Sequence, residues 1–542
     1  MMSTSILIFT VAYALPLINK QISSIHFMRL VSMVLLLSGL LSFNVLYLQS
    51  IESGIGIYSG LFHITNIGGT MELFLLVIGS IILIGWPLKQ SEYSKDYSLI
   101  VLFSILGSSL LISSSDLISF YLSLELQSFG LYILSTLYRN SETSTNAGLK
   151  YFLLGGLSSC IILLGTGIIY AYTGVTSLES LYILLNTSNL QYVLLGSYFG
   201  LVLIVIGLLF KISAAPLHNW SPDVYDDTPT IVTIWLTIVP KISLFIFLLE
   251  ITLNFSSLSF YNNGTFFFAS LENMDALKNI LLIVSLLSLI IGTVVGLAQI
   301  KIKRLLAYST ISHIGFMLLA LAINTNQSID SFLFYLIQYI LTNLNIFLIL
   351  LAISYGTVKT INSLPSQLFK DLGLSKTTVG QVSYSTNSDL ASRISPLSTT
   401  ITDIKYLRDL QGLFYTNPIL SLSLSLSLFS MAGIPPFIGF FSKQFVLYSA
   451  LDSGYYFISF VGIIVSVISA SYYLKIIKLL HSGEPSSNNI ELISTNSEKE
   501  NLLSQFHSFL IALLSLFILL FILKPTLILN STHVLSLCLF KL

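Results

Sequence analysis

Glu125 stands alone in the apolar run D-L-I-S-F-Y-L-S-L-E-L-Q-S-F-G-L-Y-I-L-S, and Lys211, Lys241 and Lys443 lie in three other apolar runs. A charged side chain at the centre of a bilayer helix costs about 2.5–3.5 kcal/mol even on the mild insertion scale. Residues that persist against this cost face a protein interior or a water path, where they hold and release protons or ions. Burial disfavours the charged form of a carboxyl or an amine, whereas a Glu–Lys pair favours both charges. Making and breaking such a pair moves a lysine between proton-holding and proton-releasing states, and a row of lysines can hand protons on sideways. Four such residues in one chain point to a charge-conducting interior. The competing reading is a set of buried ion pairs that only fix helix packing.

Other candidates carry less. Lys150 opens N-A-G-L-K-Y-F-L-L-G-G and can equally snorkel to the interface. His218 and His313 are flanked by hydroxyls or amides, and each is a relay candidate or a satisfied packing residue. Neither has a second histidine or a carboxylate at ligand spacing, so no metal site is expected. Asp223, Asp226 and Asp227 in S-P-D-V-Y-D-D-T-P-T read as an inner-side proton entry or as a capped surface turn. Gln338, Asn343 and Asn345 hold water or hydrogen-bond between helices, and Glu250 reads as interfacial.

The elements that must position these groups are membrane helices. Of 542 residues, 54% are hydrophobic and 9% charged, with mean hydropathy +0.87; soluble domains carry about 25% charged residues. The expected class is all-α and polytopic. Zero net charge argues against nucleic acid or an acidic surface as partner. Cys160 and Cys538 are too far apart in sequence for a metal motif, and Cys160 lies inside an apolar helix, so disulfide, iron–sulfur and haem c readings fail. Phosphate-binding and dinucleotide motifs are absent. The N-terminus lacks a basic n-region and reads as a retained first helix.

Spans of about 20 apolar residues are expected at 3–19, 27–48, 70–88, 97–115, 117–138, 150–172, 191–220, 230–252, 278–299, 303–323, 330–355, 416–450, 456–479 and 503–524. The seventh and twelfth are too long for one straight helix and contain Pro216 and Pro435–Pro436, where a helix should break. Breaks at membrane depth line ion paths, and two of them in related halves hint at an inverted repeat. Lys211 precedes one break and Lys443 follows the other.

Basic residues concentrate in the odd-numbered loops, from Lys20 and Arg29 through Lys301, Lys303 and Arg304 to Lys475, Lys478 and Lys499. Those loops are therefore expected on the inner side and both termini on the outer side. The polar loop 357–415 reads as a tolerated insertion or a partner-contact surface. Residues 481–500 read as a solvated loop, and 526–542 as too short to span.

N-A-G-L-K-Y-F-L-L-G-G, F-K-I-S-A-A-P-L-H-N-W-S-P-D-V-Y-D-D-T-P-T, A-Y-S-T-I-S-H-I-G-F-M-L-L-A and M-A-G-I-P-P-F-I-G-F-F-S-K-Q-F resemble the subunit 2 family of proton-translocating NADH:ubiquinone oxidoreductase, respiratory complex I. The similarity spans about residues 70–480. Singly, the broken-helix motifs are shared with subunits 4 and 5 and with multi-subunit cation/proton antiporters. Low charge, abundant Phe and Tyr and the lack of a targeting segment resemble an organelle-encoded, fungal chain of the mitochondrial inner membrane. The resemblance implies about 14 helices with two inverted five-helix repeats and two broken helices. It divides the chain into 1–96, a first repeat 97–252, a second repeat 278–479 with insertion 357–415, and a tail 480–542.

By position the resemblance makes Glu125 the fifth-helix glutamate and Lys211 its partner, Lys241 the central lysine, Lys443 the lysine of the second break, and Lys150 a further lysine. The eleventh span carries no lysine in its apolar part, so a link from Lys241 to Lys443 must use waters and polar residues such as His313. The implied role is proton translocation without a redox centre. NADH, FMN, iron–sulfur clusters and ubiquinone would belong to other subunits, and structural lipids could bind here. Neighbours would be chains 4L and 4, with accessory subunits. Two rivals remain: an antiporter subunit outside any redox complex, and a membrane spacer whose charges only pack helices.

Overall fold

A computed structural model describes residues 1–15, 22–48, 54–85, 94–187, 191–256, 276–362, 403–482 and 505–540. Helices α1 (Met2–Ala14) and α2 (Ser24–Leu48) lead to an antiparallel hairpin, β1 (Ile55–Ile57) and β2 (Phe62–Ile64). That hairpin is absent from the all-helical expectation, because strands of three residues carry almost no period-2 pattern. Next come α3 (Asn66–Ile84), α4 (Ser94–Ile112), α5 (Leu117–Ser135), α6 (Glu142–Thr173), the short α7 (Leu178–Thr187), α8 (Gln191–Ile212), α9 (Trp220–Asp227) and α10 (Thr230–Ser256). The second half holds α11 (Ala276–Leu297), α12 (Ile302–Ile323), α13 (Asn326–Asn362), α14 (Leu413–Thr416), α15 (Pro418–Ala432), α16 (Ile438–Asp452) and α17 (Tyr456–His481). Helices α18 (Gln505–Leu520) and α19 (Thr526–Phe540) close the chain.

The starts of α3 and α5 follow side-chain caps. Thr65 Oγ1 accepts from Gly68 N at 3.0 Å, so α3 begins four residues before the expected 70. Asp116 Oδ1 accepts from Ile118 N at 2.9 Å and Ser119 completes a capping box at the start of α5; each cap satisfies a first-turn N–H that the helix leaves unpaired. Among the described residues, twelve helices are long and apolar enough to cross a membrane. Two expected spans are shorter: α1 has 13 residues, and 416–450 is divided into two helices of 15.

The core is three helices. Over their most apolar stretches helices α10 and α12 are buried on every side and α13 nearly so, as expected of helices apolar all round. They carry Lys241, His313 and Tyr339 respectively, while α6 turns Leu149, Phe152, Leu163 and Leu164 outward.

Both breaks close in the same way. At the end of α8, Ser213 N donates to Phe210 O and Ala214 N to Leu209 O, each at 3.0 Å. At the end of α15, Gly433 N donates to Ser430 O at 3.0 Å and Ile434 N to Phe429 O at 3.2 Å. The pivots, Ser213 at φ +68° and Gly433 at φ +83°, are left-handed. This is the Schellman closure, which satisfies the last carbonyls before the chain turns away. The prolines follow, with Ala215–Pro216 and Pro435–Pro436 both cis.

Candidate functional site

Helix α5 presents Glu125 to the last turn of α8, where Lys211 Nζ lies 3.1 Å from Glu125 Oε1. The two side chains are 14% and 9% exposed, and Ser128 Oγ donates to Glu125 Oε2 at 3.2 Å. A cavity of about 20 Å³ beside the pair is lined by Lys211, Gln127, Ser128, Tyr132, Trp220 and Pro240. One water needs roughly 10–15 Å³, so the space admits a single water between Lys211 and the residue preceding Lys241. Gln127 Nε2 donates to Ser243 Oγ at 2.9 Å and fastens α5 to α10.

Lys241 is 4% exposed. Its Nζ donates to Tyr339 Oη at 3.1 Å and lies 5.9 Å from the Tyr225 ring centre and 5.5 Å from that of Tyr339. Asn343 Nδ2 also reaches Tyr339 Oη, at 3.3 Å. His313 is 3% exposed; its Nδ1 meets Tyr335 Oη at 2.6 Å and its Nε2 meets Tyr473 Oη at 3.3 Å. The His313 and Tyr339 rings are 5.7 Å apart. A hydroxyl both donates and accepts. Lys241, Tyr339 and Asn343 form one hydrogen-bonded set and Tyr335, His313 and Tyr473 a second, and the two meet where the His313 and Tyr339 rings pack.

Lys443 projects from α16 back across its break. Its Nζ donates to the carbonyls of Met431 and Ala432, both at 2.9 Å, where the end of α15 gathers partial negative charge. Beside it, Ser442 Oγ donates to Gln338 Oε1 at 3.3 Å, and the Phe316 ring lies 6.0 Å from Nζ. Among the described residues no direct hydrogen bond joins the His313 cluster to Lys443.

The remaining candidates sit to the side. Lys150 is half exposed and pairs with Asp223 at 3.2 Å, which Arg304 also meets at 3.1 Å. Asp226 pairs with Lys301 at 2.6 Å. Burial, helped by nearby Asp226, pushes the Asp227 carboxyl above its usual range. His218 packs edge-on near Tyr308, 6.2 Å between centres. Glu250 is partly exposed near the end of α10, and Asn345 is fully buried.

The family profile described as NADH:quinone oxidoreductase/Mrp antiporter, TM, matches residues 114–376 and 384–469, more than half of the chain. The chain belongs to this antiporter-like membrane family. NADH-ubiquinone oxidoreductase chain 2 of Rhizopus oryzae is 44% identical over 569 residues, covering 98% of this chain and 99% of that protein. NADH-quinone oxidoreductase subunit N of Pelagibacter ubique is 34% identical over 451 residues, covering 82% of this chain and 81% of that one. A chain of respiratory complex I from Thermus thermophilus with bound aureothin superposes with TM-score 0.68 at 24% identity, over 98% of this chain and 99% of that one. This last is a likeness of fold. The family read from the broken-helix motifs is borne out.

Within this antiporter-like chain, sequence reading missed the tyrosines. Tyr335, Tyr339 and Tyr473 are spread among 28 tyrosines, and only the packing of α12, α13 and α17 singles them out. Tyr335 and Tyr339 are one helical turn apart, a signal that aromatic-rich sequence hides. Glu72, a lone carboxylate in the apolar run T-M-E-L-F-L-L of α3, was legible by the rule that found Glu125. Asp403 was hidden inside the polar insertion.

Proposed function

We propose that this chain is a proton-translocating, antiporter-like membrane subunit of NADH:ubiquinone oxidoreductase, in the mitochondrial inner membrane. The observation that carries the reading is the buried Glu125–Lys211 contact, next to a Lys241–Tyr339 contact on the central helices. Identity of 44% to a chain named for that enzyme, over nearly the whole length, supports the same assignment.

In the proposed sequence the Glu125 carboxylate holds the Lys211 ammonium charged. A charge change in a neighbouring subunit draws Glu125 away, and Lys211 then releases its proton through the adjoining cavity toward Lys241. Lys241 yields a proton along the Tyr339, His313, Tyr335 and Tyr473 cluster toward Lys443. There the carbonyls of Met431 and Ala432 stabilise the ammonium in place of a carboxylate. Lys150, His218 and the Asp223–Asp227 turn serve the approaches. No redox step occurs in this chain; NADH, FMN, iron–sulfur and ubiquinone chemistry lies with other subunits, and chains 4L and 4 are the proposed neighbours.

The matched Schellman closures support two inverted repeats, 97–252 and 278–479, and the loop charges support termini on the intermembrane-space side. The test is a native gel of mild-detergent membranes stained for NADH dehydrogenase activity, with this chain located by mass spectrometry. Migration with the active, megadalton-scale band is expected. Migration in a smaller inactive band would favour a cation/proton antiporter outside any redox complex.

A further inference from the structure

The tail of the polar insertion returns to the helix bundle as a strap. Lys301 and Tyr406 form an isolated antiparallel bridge, with Leu407 N donating to Ile300 O at 3.0 Å and Ile302 N to Lys405 O at 3.1 Å. Leu407, Leu410 and Leu413 are buried beneath it, and Gly412 N donates to Leu479 O of α17 at 3.3 Å. The strap delivers one carboxylate, Asp403, to the N-terminal ends of two core helices. Asp403 Oδ2 accepts from Thr230 N, the first residue of α10, at 3.0 Å, and Oδ1 accepts from Thr230 Oγ1 at 2.9 Å. The same Oδ2 accepts from Lys303 Nζ, in the first turn of α12, at 2.6 Å. Lys303 Nζ also donates to Thr228 O at 2.8 Å, and its side chain is only 4% exposed.

The clamp sits at nearly the same height below two functional groups. Lys241 follows Thr230 by eleven residues, and His313 follows Lys303 by ten. At 1.5 Å per residue both lie roughly 15–17 Å up their helices. Both then reach tyrosines one turn apart on α13, Lys241 to Tyr339 at 3.1 Å and His313 to Tyr335 at 2.6 Å. A slip of α10 against α12 by one residue moves one group about 1.5 Å relative to the other, enough to take one of these contacts out of hydrogen-bond range.

We propose that Asp403 is a positioning residue for proton transfer, fixing the register of α10 against α12 so that Lys241 and His313 share one tyrosine cluster. The proposal rests on the relay reading above and deepens it. The carboxylate suits the task because it caps the α10 N-terminus, answers the helix dipole there and pairs with a buried ammonium at once. Asparagine keeps the shape and loses the charge.

The test uses the whole complex, with Asp403→Asn, Asp403→Glu and Lys241→Ala assayed per assembled complex in proteoliposomes. Asp403→Asn should assemble and lose proton pumping by up to about a hundredfold, the order expected when reacting groups are misplaced by an ångström. Its pH profile of pumping should shift in the same direction as that of Tyr339→Phe, and Asp403→Glu should recover part of the rate. Unchanged pumping and an unchanged profile in Asp403→Asn, with Lys241→Ala inactive, would overturn the positioning role alone. Normal pumping in Lys241→Ala would overturn the relay itself. If Asp403→Asn does not assemble, Thr230→Ala, which removes one donor, decides the matter: a shifted profile supports the proposal and an unshifted one overturns it.

Discussion

Lys443 Nζ donates to the Met431 carbonyl at 2.9 Å across the gap between α15 and α16, and to Ala432 at the same distance. Lys211, at the corresponding first break, instead meets a carboxylate. Among the described residues no carboxylate forms an ion pair with Lys443. The two lysines therefore have partners of different kinds. Glu125 is a side chain that can move, whereas the end of α15 is a fixed dipole that cannot be switched off. In the proposed relay this difference would set a direction, from the lysine paired with a movable carboxylate to the one held by a fixed dipole.

Gly433 makes the Lys443 contact possible, because φ there is +83° and a Cβ would stand 2.9 Å from Lys443 Cδ. Gly433→Ala adds a left-handed penalty of about 1–2 kcal/mol and pushes the lysine from its carbonyls. The expected outcome is a normally assembled complex whose NADH-driven proton pumping is several-fold slower. Proteoliposome pumping normalised to assembled complex measures it.

Glu125→Gln leaves Lys211 buried without its counter-charge. Breaking a buried pair in this way typically costs about 3–5 kcal/mol. Turnover per assembled complex should fall markedly, and Glu125→Asp should retain more of it. A rate equal to that of the unmodified chain would count against the pairing as a switch.

How much of this was legible follows from how isolated each residue is in its sequence. A charge inside twenty apolar residues has few explanations, so Glu125, Lys211, Lys241 and Lys443 were visible, and prolines in overlong spans located both breaks. Tyrosine is common in apolar helices, so Tyr339 carried no signal until packing brought it to Lys241. Asp403 was invisible for the opposite reason, one acid among many polar residues, distinguished only by the strap that brings it to Lys303. The early start of α3 turned on a single hydroxyl, that of Thr65, which hydropathy does not register.

Tyr339→Phe removes one oxygen and keeps the ring that faces Lys241. A hydrogen bond to a charged group contributes about 1.5–3 kcal/mol, so pumping should fall by about tenfold or more while helix packing persists. Comparing thermal stability with pumping in the same preparation separates the two effects.

Asp227 offers a pH test at the surface. Its carboxyl is raised, chiefly by burial, so its protonated form is favoured in the folded chain. The stability it lends is present below the unfolded value near ~3.9 and is lost as pH rises through the folded value. Asp227→Asn should therefore raise the unfolding midpoint at pH 7 and give no gain at pH values below about 3.9. Scanning fluorimetry at both pH values checks the sign.

Proton uptake driven by NADH oxidation, measured in proteoliposomes holding the Lys241→Ala complex, bears most directly on whether the buried line conducts. Conduction through Lys241 predicts that pumping per assembled complex is largely lost, while the chain still migrates with its NADH-oxidising partners. Pumping at the unmodified rate per electron would mean that protons take another route, leaving Lys241 a packing residue.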